Sequence, residues 1–378
     1  MKLKINRDHL LRGITLATRS VPTKSANPLF VNVLLEANEK GLTMLGSSGD
    51  LTIQTLIPIR VNELEVLRVY AEGKALVNAK LLNEIIRHLE GSEVDIEVID
   101  QTLLQVSDGR SEFNLNSIKP SDYPDFDLEH DGVRFAIDRQ LFVKLVDQTA
   151  FAASTKENRP ILTAVHLNAK NGHLVAAATD TARLARKQVE LKDNVTFFAN
   201  VPAKTMQDIA RIVEETRVEE IEISVSDKKI LFEFDGTFIA SRLVGGDYPS
   251  TKEIVLKTYN SFLEANANEL IKAMERVSLL SSERERIVRL SMSENLVQVS
   301  SSSPNAGRAS ETVPTCRYSG EPLSIHFNVG YVTAAIRACG SDDVHIEFTG
   351  ELKPFEVKNI EDDTQTQIIT PTRTFIDK

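Results

Sequence analysis

Residues 81–98 read LLNEIIRHLEGSEVDIEV. Apolar residues first recur at helical spacing, a polar break follows at Gly91 and Ser92, and Val94 and Ile96 then alternate with acids. The pattern predicts an amphipathic helix running into a strand with one buried face. The same order returns at 205–223, TMQDIARIVEETRVEEIEI, and at 331–348, YVTAAIRACGSDDVHIEF. Ile96, Ile221 and Ile346 lie at matching places, 125 residues apart both times. Self-similarity at a long fixed period is the mark of a repeated structural unit.

Two further sets of markers keep the same order. Residues 5–19 (INRDHLLRGITLATR), 137–152 (IDRQLFVKLVDQTAFA) and 265–280 (ANANELIKAMERVSLL) are amphipathic stretches opened by Asn6, Asp138 and Asn266. Asn and Asp accept hydrogen bonds from the free N–H groups of a first helical turn. Tyr123-Pro124 and Tyr248-Pro249 are again 125 residues apart, and Thr370-Pro371 stands at the corresponding place in the third copy. Between the helices lie alternating runs such as 31–35, 42–45 and 51–57, which read as strands. The expectation is an α+β chain of three similar domains, 1–124, 125–250 and 251–378. Each has two helices packed on antiparallel sheets.

Similar domains joined head to tail can close into a ring. Two chains would bring twelve helices to the centre. At ~10 Å per helix their axes lie on a circle ~38 Å across, leaving a bore of ~28 Å. The predicted helices, 6–19, 78–90, 138–153, 203–215, 266–280 and 328–339, carry 12 Lys or Arg and 10 Asp or Glu, about +2 within a chain of −10. Arg7, Arg12, Lys80, Arg87, Lys144, Lys204, Arg211, Lys272, Arg276 and Arg337, with Lys24 in a loop, are the cations expected to line a bore. Phosphate contacts of this kind carry no sequence information. For any single one of them an ordinary solvated helix face is the competing reading.

The chain has 378 residues, with 42% hydrophobic, 26% charged and 6% aromatic residues and no Trp. No apolar run reaches the ~18 residues of a membrane span, and the N-terminus reads as a first strand rather than a secretory signal. Cys316 and Cys339 form no disulfide framework or CxxC pair, which suits a reducing cytoplasm. P-loop, GxGxxG, HExxH and GxSxG patterns are missing, and the seven histidines show no ligand spacing. Asp180 and Asp247 are the acids to examine for catalysis, with turn or strand-end roles as the bland alternative. No enzyme and no cofactor are expected.

Six segments carry a resemblance: FAAST at 151–155, RPILT at 159–163, ATDTARL at 178–184, SRLVGGDYP at 241–249, FNVGY at 327–331 and ITPTR at 369–373. In this order the chain resembles the bacterial DNA polymerase III beta subunit, the sliding clamp, over essentially its full length. The resemblance implies a homodimeric ring that encircles duplex DNA and tethers the replicative polymerase after a clamp loader has opened it. It also implies that partners dock a short peptide in a groove. The matching positions are Arg159, Leu162, Thr179, Arg183, Leu184, Pro249 and Ile254, then Asn328, Tyr331, Pro354, Thr370, Pro371 and Arg373. Leu162, Leu184, Pro249 and Ile254 suit an apolar socket, and the arginines and Asn328 suit its rim.

Ala182 and Thr370 replace a His and a larger apolar residue common in relatives, which implies a shallower or differently tuned groove. The subunit seam implied by the family takes Arg110, Glu112 and Leu115 from one chain and Leu279, Leu280 and Arg308 from the other. Glu112 and Arg308 reverse the signs found in some relatives, so the attraction is kept. The alternative function is a repeat-built peptide scaffold that never meets DNA.

Overall fold

A computed structural model describes all residues except 101, 252–257, 282–285 and 374–378. The six helices are α1 (Arg7–Thr18), α2 (Ala79–His88), α3 (Arg139–Asp147), α4 (Ala203–Glu214), α5 (Ala267–Ser278) and α6 (Val329–Cys339). They fall where the spacing predicts them, except that α3 stops at Asp147 and its expected last turn becomes a 3-10 turn, Ala150–Ala152. Asn6 and Asn266 cap α1 and α5, accepting from the amides of Asp8 and His9 and of Glu269. Asn78 and Asn328 do the same for α2 and α6. Each of these caps ends a strand, so one short polar side chain turns extended backbone into helix.

Contacts divide the chain into two units. The first holds Met1–Arg139 and Glu215–Leu243, the second Gln140–Glu214 and Val244–Lys378. The first unit is built on a 13-stranded sheet. Leu10, Ile14 and Ala17 of α1 and Leu82 and Ile86 of α2 are buried against its core, with Val33, Leu35, Leu42 and Met44 from the strands. Burying a Leu or Ile side chain contributes about 1.5–3 kcal/mol. Gly46 lets α1 lie close on the sheet, since a Cβ there would stand 2.3 Å from the Ala17 carbonyl oxygen.

The second unit has a nine-stranded and a four-stranded sheet. Its core joins Leu270, Met274 and Val277 of α5 and Val332 and Ile336 of α6 to Phe327, Phe348 and Phe355.

The second repeat is shared between the units. Its last strand, Thr237–Arg242, pairs antiparallel with Leu51–Pro58 of the first repeat. Its strand Arg183–Glu190 pairs antiparallel with Gln365–Ile369 of the third. So within each unit the last strand of one repeat joins a strand of the repeat before it. Two strands of the same kinds have no such partner among the described residues. Glu112–Ile118, the last strand of the first repeat, is paired on one side along 112–116 and meets the strand Gly73–Asn78 only at Ser117 and Ile118. Gly307–Thr312, the third repeat's counterpart of Leu51–Pro58, is the edge of the four-stranded sheet.

Candidate functional site

The site begins at the turn between strands His173–Thr179 and Arg183–Glu190. The Thr179 hydroxyl donates to the Arg183 carbonyl (2.6 Å) and accepts from the Thr181 amide (3.1 Å). The Asp180 carboxylate accepts from the amides of Ala182 and Arg183 and from Arg183 Nε at 3.0 Å. Asp180 is therefore a turn acid committed to local donors. Thr181 has φ 80°, a left-handed conformation that costs a β-branched residue about 1–3 kcal/mol. The guanidinium of Arg183 also lies over the Tyr331 ring at 4.5 Å and the Phe151 ring at 5.6 Å. Burial raises the Tyr331 phenol above its usual range, and the Asp180 carboxylate adds to this.

Beside this turn lies a cavity of about 300 Å³. Its floor is Leu162, Leu184 and Ile368, all buried, with Ile161 beside them. Leu184 and Ile368 face each other across the strand pair. Leu162 is carried on the 3-10 turn Pro160–Thr163, where Pro160 starts the turn and the Leu162 amide donates to the Arg159 carbonyl. Thr370 extends the last strand, its amide donating to the Ala182 carbonyl (2.8 Å). Tyr248 holds the other side: its hydroxyl accepts from the Thr179 amide (3.0 Å), its ring stacks on His166, and Pro249 follows as wall. Burial pushes the Tyr248 phenol up to about 12.

The structure thus brings together Arg159, Leu162, Thr179, Arg183, Leu184, Pro249 and Thr370. Ile254 lies outside the described residues. Tyr331 touches the site through Arg183. Asn328 caps α6, Pro354 precedes the strand Phe355–Lys358, and Pro371 and Arg373 continue the chain past Thr370, none of them lining the cavity. Ile161, Thr181 and Ile368 line it and were not expected. Ile161 lies inside the RPILT segment and Ile368 directly precedes ITPTR, so both were within reach of the motifs.

The cations expected to line a bore differ in their surroundings. Arg12, Lys24, Lys80, Lys204 and Lys272 are exposed and make no ion pair among the described residues. Arg87, Arg211, Arg276 and Arg337 are exposed but paired with Glu84, Asp208, Glu311 and Glu275. Arg7 is turned toward α2, donating to the Ile86 and Arg87 carbonyls. Lys144 is 2.9 Å from Asp362, which also holds the buried Lys187.

Of the seam residues, Leu279 is 81% exposed at the end of α5, and Leu280 is half-buried. Glu112 and Arg308 are exposed on the two strands with free edges. Arg110 faces Glu90 at 3.5 Å. The Leu115 side chain is buried in the core of its own unit, so only its backbone edge is open to a partner.

The two thiols are unreactive. Burial pushes both Cys316 and Cys339 up to about 12, far from thiolate reactivity at neutral pH. Asp247 is exposed in the connection before Tyr248. No helix among the described residues is long and apolar enough to cross a membrane.

Comparison with known proteins covers nearly all of the chain. Residues 1–127, 136–250 and 252–373 match the N-terminal, central and C-terminal domain models of the DNA polymerase III beta subunit. The beta sliding clamp of Halalkalibacterium halodurans is 31% identical over 382 residues, covering 99% of this chain and 100% of its own. That of Bacillus subtilis is 29% identical with the same coverage. The crystal structure of the Bacillus subtilis DNA polymerase sliding clamp superposes with a TM-score of 0.94 at 29% identity, covering 99% of this chain and 100% of that one. A Pseudomonas aeruginosa sliding clamp bound to griselimycin has a TM-score of 0.91 at 25% identity, again with 99% and 100% covered.

Proposed function

The chain belongs to the DNA polymerase III beta subunit family, and from that premise we propose how it works: two copies close head to tail into a ring around duplex DNA. Its function is that of a DNA sliding clamp, a non-catalytic processivity factor of replication. The peptide scaffold that never meets DNA gives way to this reading. Its domains are 1–124, 125–250 and 251–378, and it works in the cytoplasm without a cofactor.

The observation that carries the ring is the pair of free strand edges. Within the chain, the last strand of one repeat joins the fourth strand of the repeat before it, twice. Among the described residues no strand of another repeat pairs with Glu112–Ile118 or Gly307–Thr312, so these two edges are left over. A second copy supplies each with its partner, and the ring closes with every such edge covered. Carrying the internal registers over sets Arg308 opposite Asn114 or Asn116, on the face that also carries Glu112. Leu279 and Leu280 supply the apolar contact. An exposed pair adds only about 0.2–1 kcal/mol. Arg308→Glu weakens the dimer and Glu112→Arg restores it in part, read as dimer dissociation constants by light scattering. Zero coupling in that cycle would separate the two residues.

The exposed cations Arg12, Lys24, Lys80, Lys204 and Lys272 make non-specific phosphate contacts inside the ring, and the paired ones contribute less. The groove beside Arg183 takes short peptides with leucine and phenylalanine anchors. Its ligands are segments of the polymerase III catalytic subunit, the clamp loader and other proteins that carry such a motif. The deciding experiment is topological. Loaded protein stays on closed circular DNA and leaves when the circle is cut. Equal retention on linear and circular DNA rules encirclement out.

A further inference from the structure

His130 lies in the connection that leads from the first repeat into the second, with its side chain only 15% exposed. Its Nε2 is 2.5 Å from a carboxylate oxygen of Glu233, and its Nδ1 is 3.2 Å from Ser224 Oγ. Its ring packs edge-on against Phe238. Glu233 stands directly across from Glu222 on the neighbouring strand. Two carboxylates in that position repel each other and destabilise the sheet unless a cation neutralises them. Ligand atoms of His130, Glu222 and Glu233 all lie within 4.8 Å of one another. The nearby Lys229 is committed elsewhere, to Asp127 at 2.5 Å and Asp131 at 3.3 Å. Arg134 is 2.6 Å from Glu222, but Glu233 has no ionic partner other than His130 among the described residues.

We propose that His130, Glu222 and Glu233 form a binding site for a divalent transition ion of the zinc type. One imidazole nitrogen and two carboxylates, with water as fourth ligand, are a donor set that zinc accepts in tetrahedral geometry. Bonds of ~2.0–2.1 Å hold neighbouring ligand atoms ~3.3 Å apart. The hydrogen-bonded Nε2 and carboxylate oxygen at 2.5 Å therefore separate by less than 1 Å to admit the ion. The ion takes the place of the proton between them. In a neutral imidazole that proton passes to Nδ1, where Ser224 Oγ is placed to accept it, and this outer hydrogen bond fixes the ring for metal binding. An imidazolium releases one proton to solvent instead. The ion ties the connection at 124–132 to the strands Glu220–Val225 and Lys229–Phe234. It stabilises the folded unit, because the unfolded chain does not hold the three ligands together.

The test uses the full-length protein after treatment with a chelator. Zinc is titrated by calorimetry, thermal unfolding is followed with and without zinc, and cobalt serves as the spectroscopic probe. The expected result is one ion per chain, a higher Tm with zinc, and a cobalt absorption spectrum of tetrahedral type. His130→Ala and Glu233→Gln each weaken binding at least tenfold and remove the Tm shift. Glu233→Gln keeps the side-chain shape, so it remains informative if the alanine variant folds poorly. Arg134→Ala tightens binding, because it removes the cation that competes for Glu222. Failure of the wild type to take up zinc at micromolar concentration overturns the proposal. So does zinc binding that neither Glu233→Gln nor His130→Ala alters, since the ion then sits on other histidines.

Discussion

The groove of the second unit has a counterpart in the first, built on the same backbone plan. Pro28 and Pro160, 132 residues apart, both open 3-10 turns. The Gly49 amide donates to Ser47 Oγ as the Thr181 amide donates to Thr179 Oγ1. The Arg242 amide donates to the Asp50 carbonyl as the Thr370 amide does to that of Ala182. The Tyr123 hydroxyl reaches the Asn32 carbonyl, and that of Tyr248 reaches the Ala164 carbonyl. The side chains differ. Leu162, Leu184 and Ile368 of the groove correspond to Phe30, Thr52 and Ala240.

The cavity in the first unit is larger, about 640 Å³, but it is lined by five aspartates with Lys228, Lys229 and Arg242. Its aromatic wall is already in contact with the chain itself. Phe126, two residues past Pro124, packs on Phe30 at 6.4 Å and edge-on against Tyr123 at 5.6 Å. Volume alone does not make a peptide site. An open apolar floor suits one, and the second unit has such a floor where Leu162, Leu184 and Ile368 stand together with no aromatic ring in the cavity lining among the described residues.

The strongest attack on this comparison gives the groove the floor of its counterpart. Leu184→Thr with Ile368→Ala removes five side-chain carbons from the floor. At ~0.8 kcal/mol each this amounts to roughly 4 kcal/mol, or a loss of about 1,000-fold in affinity. Calorimetry with a peptide bearing leucine and phenylalanine anchors reads it. Changing Thr52 and Ala240 leaves that affinity untouched. Equal losses from both pairs of changes would place the binding elsewhere.

Next comes the aromatic cover. Phe126→Ala destabilises the first unit by about 2 kcal/mol, below the value for a fully buried ring because Phe126 is partly exposed. Urea unfolding measures it. The variant still binds no peptide in the first unit, since the floor there remains polar. A new peptide site on unmasking would show that cover, not floor, separates the two regions.

A smaller effect concerns the shared turn. Gly49 has φ 93° and Thr181 φ 80°. Thr181→Gly relieves strain and stabilises by about 1 kcal/mol. Gly49→Thr goes the other way by at least as much, because its Cβ also meets the Phe30 ring at 3.2 Å. Thermal unfolding of the two variants decides the sign of each.

The smallest effect is nil at neutral pH. Burial pushes Tyr123 and Tyr248 up to about 12. An unfolded tyrosine titrates near ~10. The folded chain disfavours the charged phenolate, so this stabilisation is complete below pH ~10 and is lost as pH rises toward 12. Tyr123→Phe and Tyr248→Phe should each remove part of that alkaline loss, and by similar amounts if the two frames are equivalent. An unchanged alkaline profile in both variants would show that other groups cause it.

Much of this molecule was determined by the sequence itself. The repeats, the six helices and the caps at Asn6 and Asn266 are local features, set by side-chain spacing and by hydrogen bonds within a few residues. Seven of the residues that line the groove were named through the family resemblance that the motifs carry. The tertiary structure decided the rest, because the pairing of distant strands leaves no periodic trace. Only the register of Arg183–Glu190 on Gln365–Ile369 sets Ile368 opposite Leu184. Only the junctions between repeats divide the second repeat between two units and leave the edges at Glu112–Ile118 and Gly307–Thr312 open. Only packing puts Phe126 on Phe30, and His130 beside a glutamate 103 positions later. In each case the energy lies in a contact between residues far apart in sequence, so the fold must bring them together before either can act.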